Sequence, residues 1–515
     1  MSRVKNAKRN IVFGLLNKIV HIIFPFIIRS VTIQVLGAEY LGLGSLFTSV
    51  LQVLNLAELG FSSAIIYNMY KPVADKDTKT ICALLNLYKK IYRVVGTVVL
   101  VIGLAIMPFL RNMIDGGVPE NMDIYVLYIL YLFNTVSTYF LFAYKSALLN
   151  ACQRNDLVNN AHTVISLAQY LLQILVLIVF KNYYLFILVQ CVAAIFNNLL
   201  TAYIAKKKYP QYICVGEVAK EQKKDIRKRV YGLMIQKVCA TTRNSLDSIF
   251  ISAMIGLTAV AMYSNYYTIM AAIISLIGIV SNSVTASIGN SIVTESEEKN
   301  YRDMNKFNFL YMWVSGWLTV CLACLYQPLM RIWMGEENMF PYEIVVLFCV
   351  YFYSLKMGDI RAIYSDAKGL WYENRFRAIA ESIANVILNA LLGYFFGVAG
   401  IIVGTLISLL IINFGYGSQI LFKHYFVHHR PSEYFLRHGL WAFVTLIVCL
   451  ITFGICTLVN IGGMLELIIK GLICVAVPNI LYLLIYRNTK MFTEAAEFVK
   501  RLLPKKHIRR RRRQK

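Results

Sequence analysis

Charge is scarce in this chain of 515 residues: only 15% are Asp, Glu, Lys or Arg, against 58% apolar. Soluble domains carry nearer a quarter charged residues, so a shortage of this size excludes a chain solvated mainly by water. Catalytic signatures are missing as well. No G-x-x-x-x-G-K-[ST] segment occurs, which excludes ATP hydrolysis by a P-loop, and no H-E-x-x-H occurs. Asp75-Lys76-Asp77 imitates the metal-binding D-x-D of sugar-nucleotide transferases, but the short connection that holds it has no room for a nucleotide-binding domain. Asp77 reads instead as the start of an amphipathic segment from Thr78 to Tyr92. The eleven cysteines show no paired spacing in an exposed stretch. Cys321 and Cys324 would sit one turn apart on a membrane helix, a pattern of packing rather than of redox or metal chemistry. No catalytic residue, metal ligand or cofactor is expected, and the chain does not read as an enzyme.

What the sequence does have is apolar runs, each long enough to cross a roughly 30 Å hydrocarbon core, along nearly its whole length. They fall at 11–36, 41–67, 91–110, 123–149, 157–180, 183–205, 230–255, 259–288, 307–332, 342–365, 376–396, 398–422, 439–459 and 465–486. The expected fold class is therefore all-α integral membrane, with about fourteen transmembrane helices. The first run, Ile11 to Leu36, is too long and too polar inside to be a cleaved signal peptide.

The net charge of +25 would suggest nucleic acid in a soluble protein. Here lysine and arginine gather in alternate connections, which is the positive-inside pattern, and such loops also attract anionic membrane lipids. With both termini cytoplasmic, the external connections keep only Arg111, Lys181 and Arg331. Anionic lipid is thus an expected partner and nucleic acid is not. A cell-membrane, multi-pass location follows.

The longest basic connection contains Lys206-Lys207-Lys208 and Lys223-Lys224 and separates two sets of six helices. Laying one set on the other reveals a repeat. Lys18 aligns with Lys237 and Gly37 with Gly256, while Gly96, Pro108, Arg111 and Tyr144 align with Gly316, Pro328, Arg331 and Tyr364 at nearly the same offset. An even number of helices separates the copies, so both have one orientation, as in lobes related by an axis along the membrane normal. The expected organisation is an N-lobe (1–205, helices 1–6), a basic cytoplasmic linker (206–229), a C-lobe (230–422, helices 7–12), two extra helices (423–488) and a tail (489–515). In that tail Phe492, Ala495, Phe498, Val499 and Leu502 share one helix face, ahead of the polybasic run Arg509 to Arg513. An interfacial helix with electrostatic attachment is the reading.

Cations inside the spans carry the chemistry. Lys or Arg at the centre of a lipid-facing helix costs about 2.5–3.5 kcal/mol, so Lys18, Arg29, Lys237 and Arg243 together would cost on the order of 10 kcal/mol in lipid. Lys18, Pro25 and Arg29 fall within about 20° of one stripe at 100° per residue, with His21 at its border. Lys237, Thr241, Asn244 and Ser248 repeat the pattern on helix 7. Two readings fit: the stripes line an anion cavity, or they pair helices. Glu58 stands at a depth near Lys18 and is either its ion-pair partner or a protonatable group coupled to ion movement. Arg243 and Asp247, at i and i+4, have the spacing of a pair. The 34 tyrosines supply rings of the kind that stack on sugars, without a pattern that assigns them to a cavity.

Longer stretches carry a family resemblance. Tyr40-Leu41-Gly42-Leu43-Gly44-Ser45-Leu46, then Leu56-Ala57-Glu58-Leu59-Gly60-Phe61 and Tyr70-Lys71-Pro72, is similar to the opening of Wzx-type polysaccharide flippases. Leu149-Asn150-Ala151-Cys152-Gln153-Arg154 resembles their helix 4–5 turn. Glu381-Ser382-Ile383-Ala384-Asn385, with Gly397-Val398-Ala399-Gly400 and Gly404-Thr405, resembles their helix 11–12 region. These flippases belong to the multidrug/oligosaccharidyl-lipid/polysaccharide superfamily, whose two six-helix lobes agree with the repeat. The resemblance implies a lipid-linked oligosaccharide of the undecaprenyl-pyrophosphate type as substrate, moved from the cytoplasmic to the outer leaflet by alternating access for surface polysaccharide biosynthesis. It also implies a polysaccharide polymerase as partner. A peptidoglycan-precursor flippase, a drug/cation antiporter of the same superfamily and a non-transporting membrane scaffold are the alternatives. The antiporter would favour carboxylates, where cations outnumber Glu58 and Asp247 here.

Overall fold

The computed structural model describes residues 3–55, 61–115, 118–119, 122–142, 144–152, 154–221, 223–224, 226, 241 and 245–502. Every regular element among them is a helix. In order these are α1 (Arg3–Leu36), α2 (Ala38–Leu54), α3 (Phe61–Asp75), α4 (Thr78–Ile106), α5 (Ile124–Phe140), α6 (Tyr144–Ala151), α7 (Asn155–Phe180) and α8 (Tyr183–Lys208). There follow α9 (Ser245–Met254), α10 (Leu257–Thr294), α11 (Glu297–Met334), α12 (Tyr342–Met357), α13 (Asp359–Lys368) and α14 (Arg375–Ile407). A π-helical stretch (Ser408–Tyr416) leads into α15 (Gly417–His424), and α16 (Pro431–Thr457), α17 (Gly463–Tyr486) and α18 (Lys490–Leu502) complete the chain. Among the described residues eight helical segments are long and apolar enough to cross a membrane, or nine if α5 and α6 form one bent span.

The packing is that of a protein in lipid. On α7, Val164, Leu171, Leu175 and Ile178 are exposed while Ser166 and Gln173 of the same helix are buried. Apolar side chains on that scale facing outward need hydrocarbon rather than water around them. Helix ends are capped by short polar residues. Asp77 accepts from the amide of Thr80 at 3.1 Å and opens α4, Asp123 accepts from Tyr125 at 2.8 Å and opens α5, and Asn182 accepts from Leu185 at 3.0 Å and opens α8. The expected start at Asp77 is thus present. The helix it opens runs on without a break through Ile106, because nothing between Thr78 and Ile106 removes a backbone donor.

Two spans expected at 376–396 and 398–422 are visible as a reversal inside one helical assignment. Arg375–His424 is 50 residues, which as one straight helix would reach about 75 Å, more than twice the hydrocarbon thickness. Gly397 takes φ 58, and a Cβ on Gly400 would stand 1.9 Å from the carbonyl oxygen of Leu392. Only glycine admits both the left-handed turn and that backbone contact. Another expected span is interrupted: 342–365 divides at Gly358 into α12 and α13. The second span is described up to residue 55, through α2, and again from Phe61, in α3, with 56–60 outside the described residues.

The chain forms two compact units. The first comprises Met1–Leu276, Trp333–Leu347 and Trp371–Asn413, and the second Ile277–Ile332, Phe348–Leu370 and Phe414–Lys515. In the first, Phe47 of α2 meets the rings of Tyr128 and Tyr131 of α5 edge-on at 5.3 and 5.8 Å, inside a core that also draws Leu84, Leu148 and Ile187. The second contains a small buried cluster of Val320, Cys324, Val448, Cys456, Cys474 and Tyr482.

Candidate functional site

Pro25 has no N–H for the carbonyl of His21, four residues earlier, and α1 opens onto a cavity from that point. The cavity holds about 440 Å³ and lies within the first unit, among α1, α2, α5, α7, α8, α9 and α10. Arg29 lines it and is the one charged side chain among its described lining residues. Nη1 of Arg29 donates to Oγ of Ser264 at 2.8 Å and to Oδ1 of Asn265 at 2.9 Å. The Ser264 hydroxyl also accepts from Ser45 at 3.0 Å and donates to the carbonyl of Ala261 at 3.1 Å, so its proton and both lone pairs are committed. The positive charge is held in place by neutral oxygens. Among the described residues no carboxylate forms an ion pair with Arg29, so its charge is left to attract an anion.

Around this cation the walls are amides and phenols. Gln52, Gln169, Gln173 and Gln190 contribute carboxamides, and Tyr131, Tyr170, Tyr183, Tyr263 and Tyr267 contribute rings. The hydroxyls of Tyr131 and Tyr183 lie 3.1 Å apart, and Gln169 reaches Gln173 one turn on at 3.3 Å. Gly44 lets those phenols approach: a Cβ there would meet Oη of Tyr183 at 2.3 Å and Oη of Tyr131 at 2.7 Å. The described lining thus has one cation and no acid, with carboxamides and tyrosine rings beside it, a set that can pair with an anion and hydrogen-bond polar groups.

Of the residues singled out on the two polar stripes, Pro25 and Arg29 of the first and Ser248 of the second line this cavity. Lys18 does not; its Nζ donates to the backbone carbonyl of Ser275 in α10 at 3.2 Å. His21 is one turn from Pro25 and joins α1 to α7, with Nε2 2.9 Å from Nδ1 of His162 and Nδ1 2.9 Å from the hydroxyl of Tyr170, which does line the cavity. Asp247 is buried behind the cavity wall. It accepts from Tyr263 at 2.7 Å, Asn389 at 2.7 Å and Thr405 at 3.1 Å, tying α9 to α10 and to both arms of α14. Lys237, Arg243 and Glu58 lie outside the described residues, so neither the Lys18–Glu58 pair nor the Arg243–Asp247 pair is in view. The four glutamines were not picked out from sequence. Their signal was available, since a carboxamide facing lipid is costly and an amide within a span marks the bundle interior just as a charge does.

The fold has solved counterparts. The chain is similar to the lipid II flippase MurJ in an inward closed conformation, at 16% identity over 93% of this chain and 99% of that one, with a TM-score of 0.61. It is similar to a multidrug resistance MATE family transporter of the MOP superfamily in its inward-facing conformation, at 13% identity over 80% and 97% of the two chains and a TM-score of 0.57. The Vibrio cholerae MATE transporter VcmN in the bent form gives 14% identity, 85% and 99% coverage and a TM-score of 0.52. At these identities the likeness is one of fold. No curated protein sequence matches the chain. The model of the polysaccharide biosynthesis protein family matches residues 7–286, more than half of the sequence and the whole of the described cavity, and the chain belongs to that family.

Proposed function

We propose that this protein is a flippase that carries a polyprenyl-pyrophosphate-linked oligosaccharide from the cytoplasmic to the outer leaflet by alternating access. The observation that carries the reading is the cavity around Arg29. A guanidinium that pairs with no carboxylate among the described residues suits a pyrophosphate, and the surrounding tyrosine rings and carboxamides suit sugars. Family membership supports the glycan, and the shared fold supports movement across a membrane. Both termini are taken as cytoplasmic, with two six-helix lobes and helices 13 and 14 outside them. Lys18 and Lys237, which the repeat aligns, are further cations that would meet the pyrophosphate before it reaches Arg29. An inside-negative potential assists outward movement of two uncompensated negative charges by roughly 4–5 kcal/mol per 100 mV. A polymerase in the outer leaflet would consume the product.

The test is reconstitution of the pure chain in nucleotide-free vesicles with three cargoes: a polyprenyl-pyrophosphate oligosaccharide, lipid II and a lipophilic cationic drug. Movement of the oligosaccharide lipid, faster with an imposed potential, is expected. Preference for lipid II would make the chain a peptidoglycan-precursor flippase. Drug movement without lipid movement would make it an antiporter. An inert protein would leave the scaffold reading.

A further inference from the structure

Half of one small buried cluster in the second unit is cysteine. Cys324 of α11, Cys456 of α16 and Cys474 of α17 are all buried, and their Sγ atoms lie within 4.8 Å of one another. Cys321 and Cys449 pack against the same core. Buried cysteine often serves as a small apolar side chain, but here the backbone is arranged to bring three thiols together.

Pro478 has no N–H to offer the carbonyl of Cys474 four residues earlier, so that carbonyl is released from the helix. Nε1 of Trp317 donates to it at 2.8 Å and Sγ of Cys321 at 3.9 Å, which pins α17 to α11 at Cys474. Gly316 keeps the three helices close: a Cβ there would meet Oη of Tyr482 at 2.5 Å and Oγ1 of Thr445 at 2.7 Å. Tyr482 itself donates to Thr445 at 3.1 Å, joining α17 to α16. Cys324 lies two turns beyond Gly316, where these contacts gather the thiols.

We propose that Cys324, Cys456 and Cys474 form a three-sulfur site for a soft monovalent metal ion, Cu(I) in particular. A trigonal ion with sulfur bonds near 2.3 Å holds its sulfurs about 4 Å apart, a spacing the cluster reaches with small side-chain movement. Soft sulfur donors select Cu(I), and only three ligands are grouped here among the described residues, where Zn(II) wants four. Charge balance favours the same ion. Cu(I) entering as one thiol proton leaves gives a neutral group of one thiolate, two thiols and the metal, which an apolar core accepts far better than a charged one. This site is independent of the proposed transport reading and uses none of the cavity residues.

The experiment is anaerobic titration of the purified full-length protein in detergent with Cu(I), in competition with a chromophoric Cu(I) chelator, with Ag(I) as a second probe. The wild type should retain one equivalent that the chelator removes with difficulty. C324S, C456S and C474S should each weaken retention at least ten-fold, and C82S should not. X-ray absorption of the loaded wild type should give three sulfur neighbours and no nitrogen or oxygen, a readout that stands even if a serine variant fails to fold. Wild-type retention no greater than that of the triple serine variant, or a copper shell containing nitrogen or oxygen, would overturn the site and reduce the thiols to packing.

Discussion

Gly37 and Gly256 end their helices in the same way, 219 positions apart (256 minus 37). Gly37 has φ 106 and Gly256 has φ 118, and each donates its amide to a carbonyl five residues back, to Thr32 at 3.2 Å and to Ile251 at 3.1 Å. An L side chain resists that conformation, so the glycines are required by the backbone at both places. The proposed repeat thus has a backbone counterpart at the positions where the sequence aligns.

Orientation is open to direct test by labelling in a cysteine-free background. Asn338→Cys, in the turn after α11, should react with an impermeant maleimide on intact cells, and Lys224→Cys only after the membrane is opened. Labelling in the opposite sense would invert the proposed topology.

Removal of the cavity's cation should weaken the anionic ligand. A hydrogen bond to a charged group contributes about 1.5–3 kcal/mol, so Arg29→Ala should lower affinity for a short-chain polyprenyl pyrophosphate about 10- to 100-fold, and Arg29→Lys should lower it less. Binding to the purified protein followed by ligand-induced shift in melting temperature reads this. Affinity for Arg29→Ala within two-fold of wild type would remove Arg29 from the site.

Two glycines with opposite surroundings separate packing from propensity. A Cβ on Gly42 would stand 2.0 Å from the backbone oxygen of Leu257, and nothing lies within 4 Å of one on Gly439. Gly42→Ala should therefore destabilise the fold by about 1–3 kcal/mol as α2 is forced from the start of α10. Gly439→Ala, in the interior of α16, should stabilise it by about 0.5–1 kcal/mol through helix propensity. Thermal unfolding in one detergent compares them, and equal effects would disprove the close approach.

Asp77 offers a pH test outside the spans. The hydroxyl and amide of Thr80 hold its carboxyl below the usual carboxylate range. A depressed folded pKa contributes stability that is present above the unfolded pKa, near 3.9, and lost as pH falls through the lower folded value. Protection factors in the first turn of α4, corrected for the intrinsic pH dependence of amide exchange, should fall on acidification in the wild type. In Asp77→Asn they should be insensitive to that change, and in Asp77→Ala low throughout. Equal acid sensitivity in wild type and Asp77→Asn would assign the effect to another group.

Much of this was legible from local pattern. Hydropathy marked the long spans, the Asp77 cap announced α4, and Gly397 marked the boundary between two expected spans. The 3.6-residue stripe through Pro25 and Arg29 pointed to the cavity because charge in a span cannot face lipid. Convergence of distant helices was not legible. The tyrosines and glutamines of α2, α5, α7 and α8 carry no mutual spacing that reveals a shared wall. For the same reason Cys321-x-x-Cys324 gave no sign that Cys324 has its sulfur neighbours on α16 and α17. Lys18 shows the limit of the stripe argument, since a lysine stem can carry its ammonium away from the face it starts on, here to the Ser275 carbonyl.

The α10–α11 hairpin has a practical consequence for imaging. Each arm is 38 residues, about 57 Å of helix, so even a tilt of about 40° leaves roughly 14 Å beyond the hydrocarbon. The α18 helix, proposed to be interfacial, meets α11 where Glu494 approaches Lys306 at 3.8 Å and Phe492 stacks on Trp313 at 6.0 Å. The tip around Thr294 and Glu297 lies beyond that contact and is braced by the connection ahead of α16: His428 reaches Glu297 at 3.2 Å, and His429 reaches Glu298 at 3.0 Å and stacks on Tyr301. A label or antibody epitope placed at Glu295 or Ser296 for imaging would thus sit on an exposed turn held from the side, and would leave intact the Glu297, Glu298 and Tyr301 contacts that hold it.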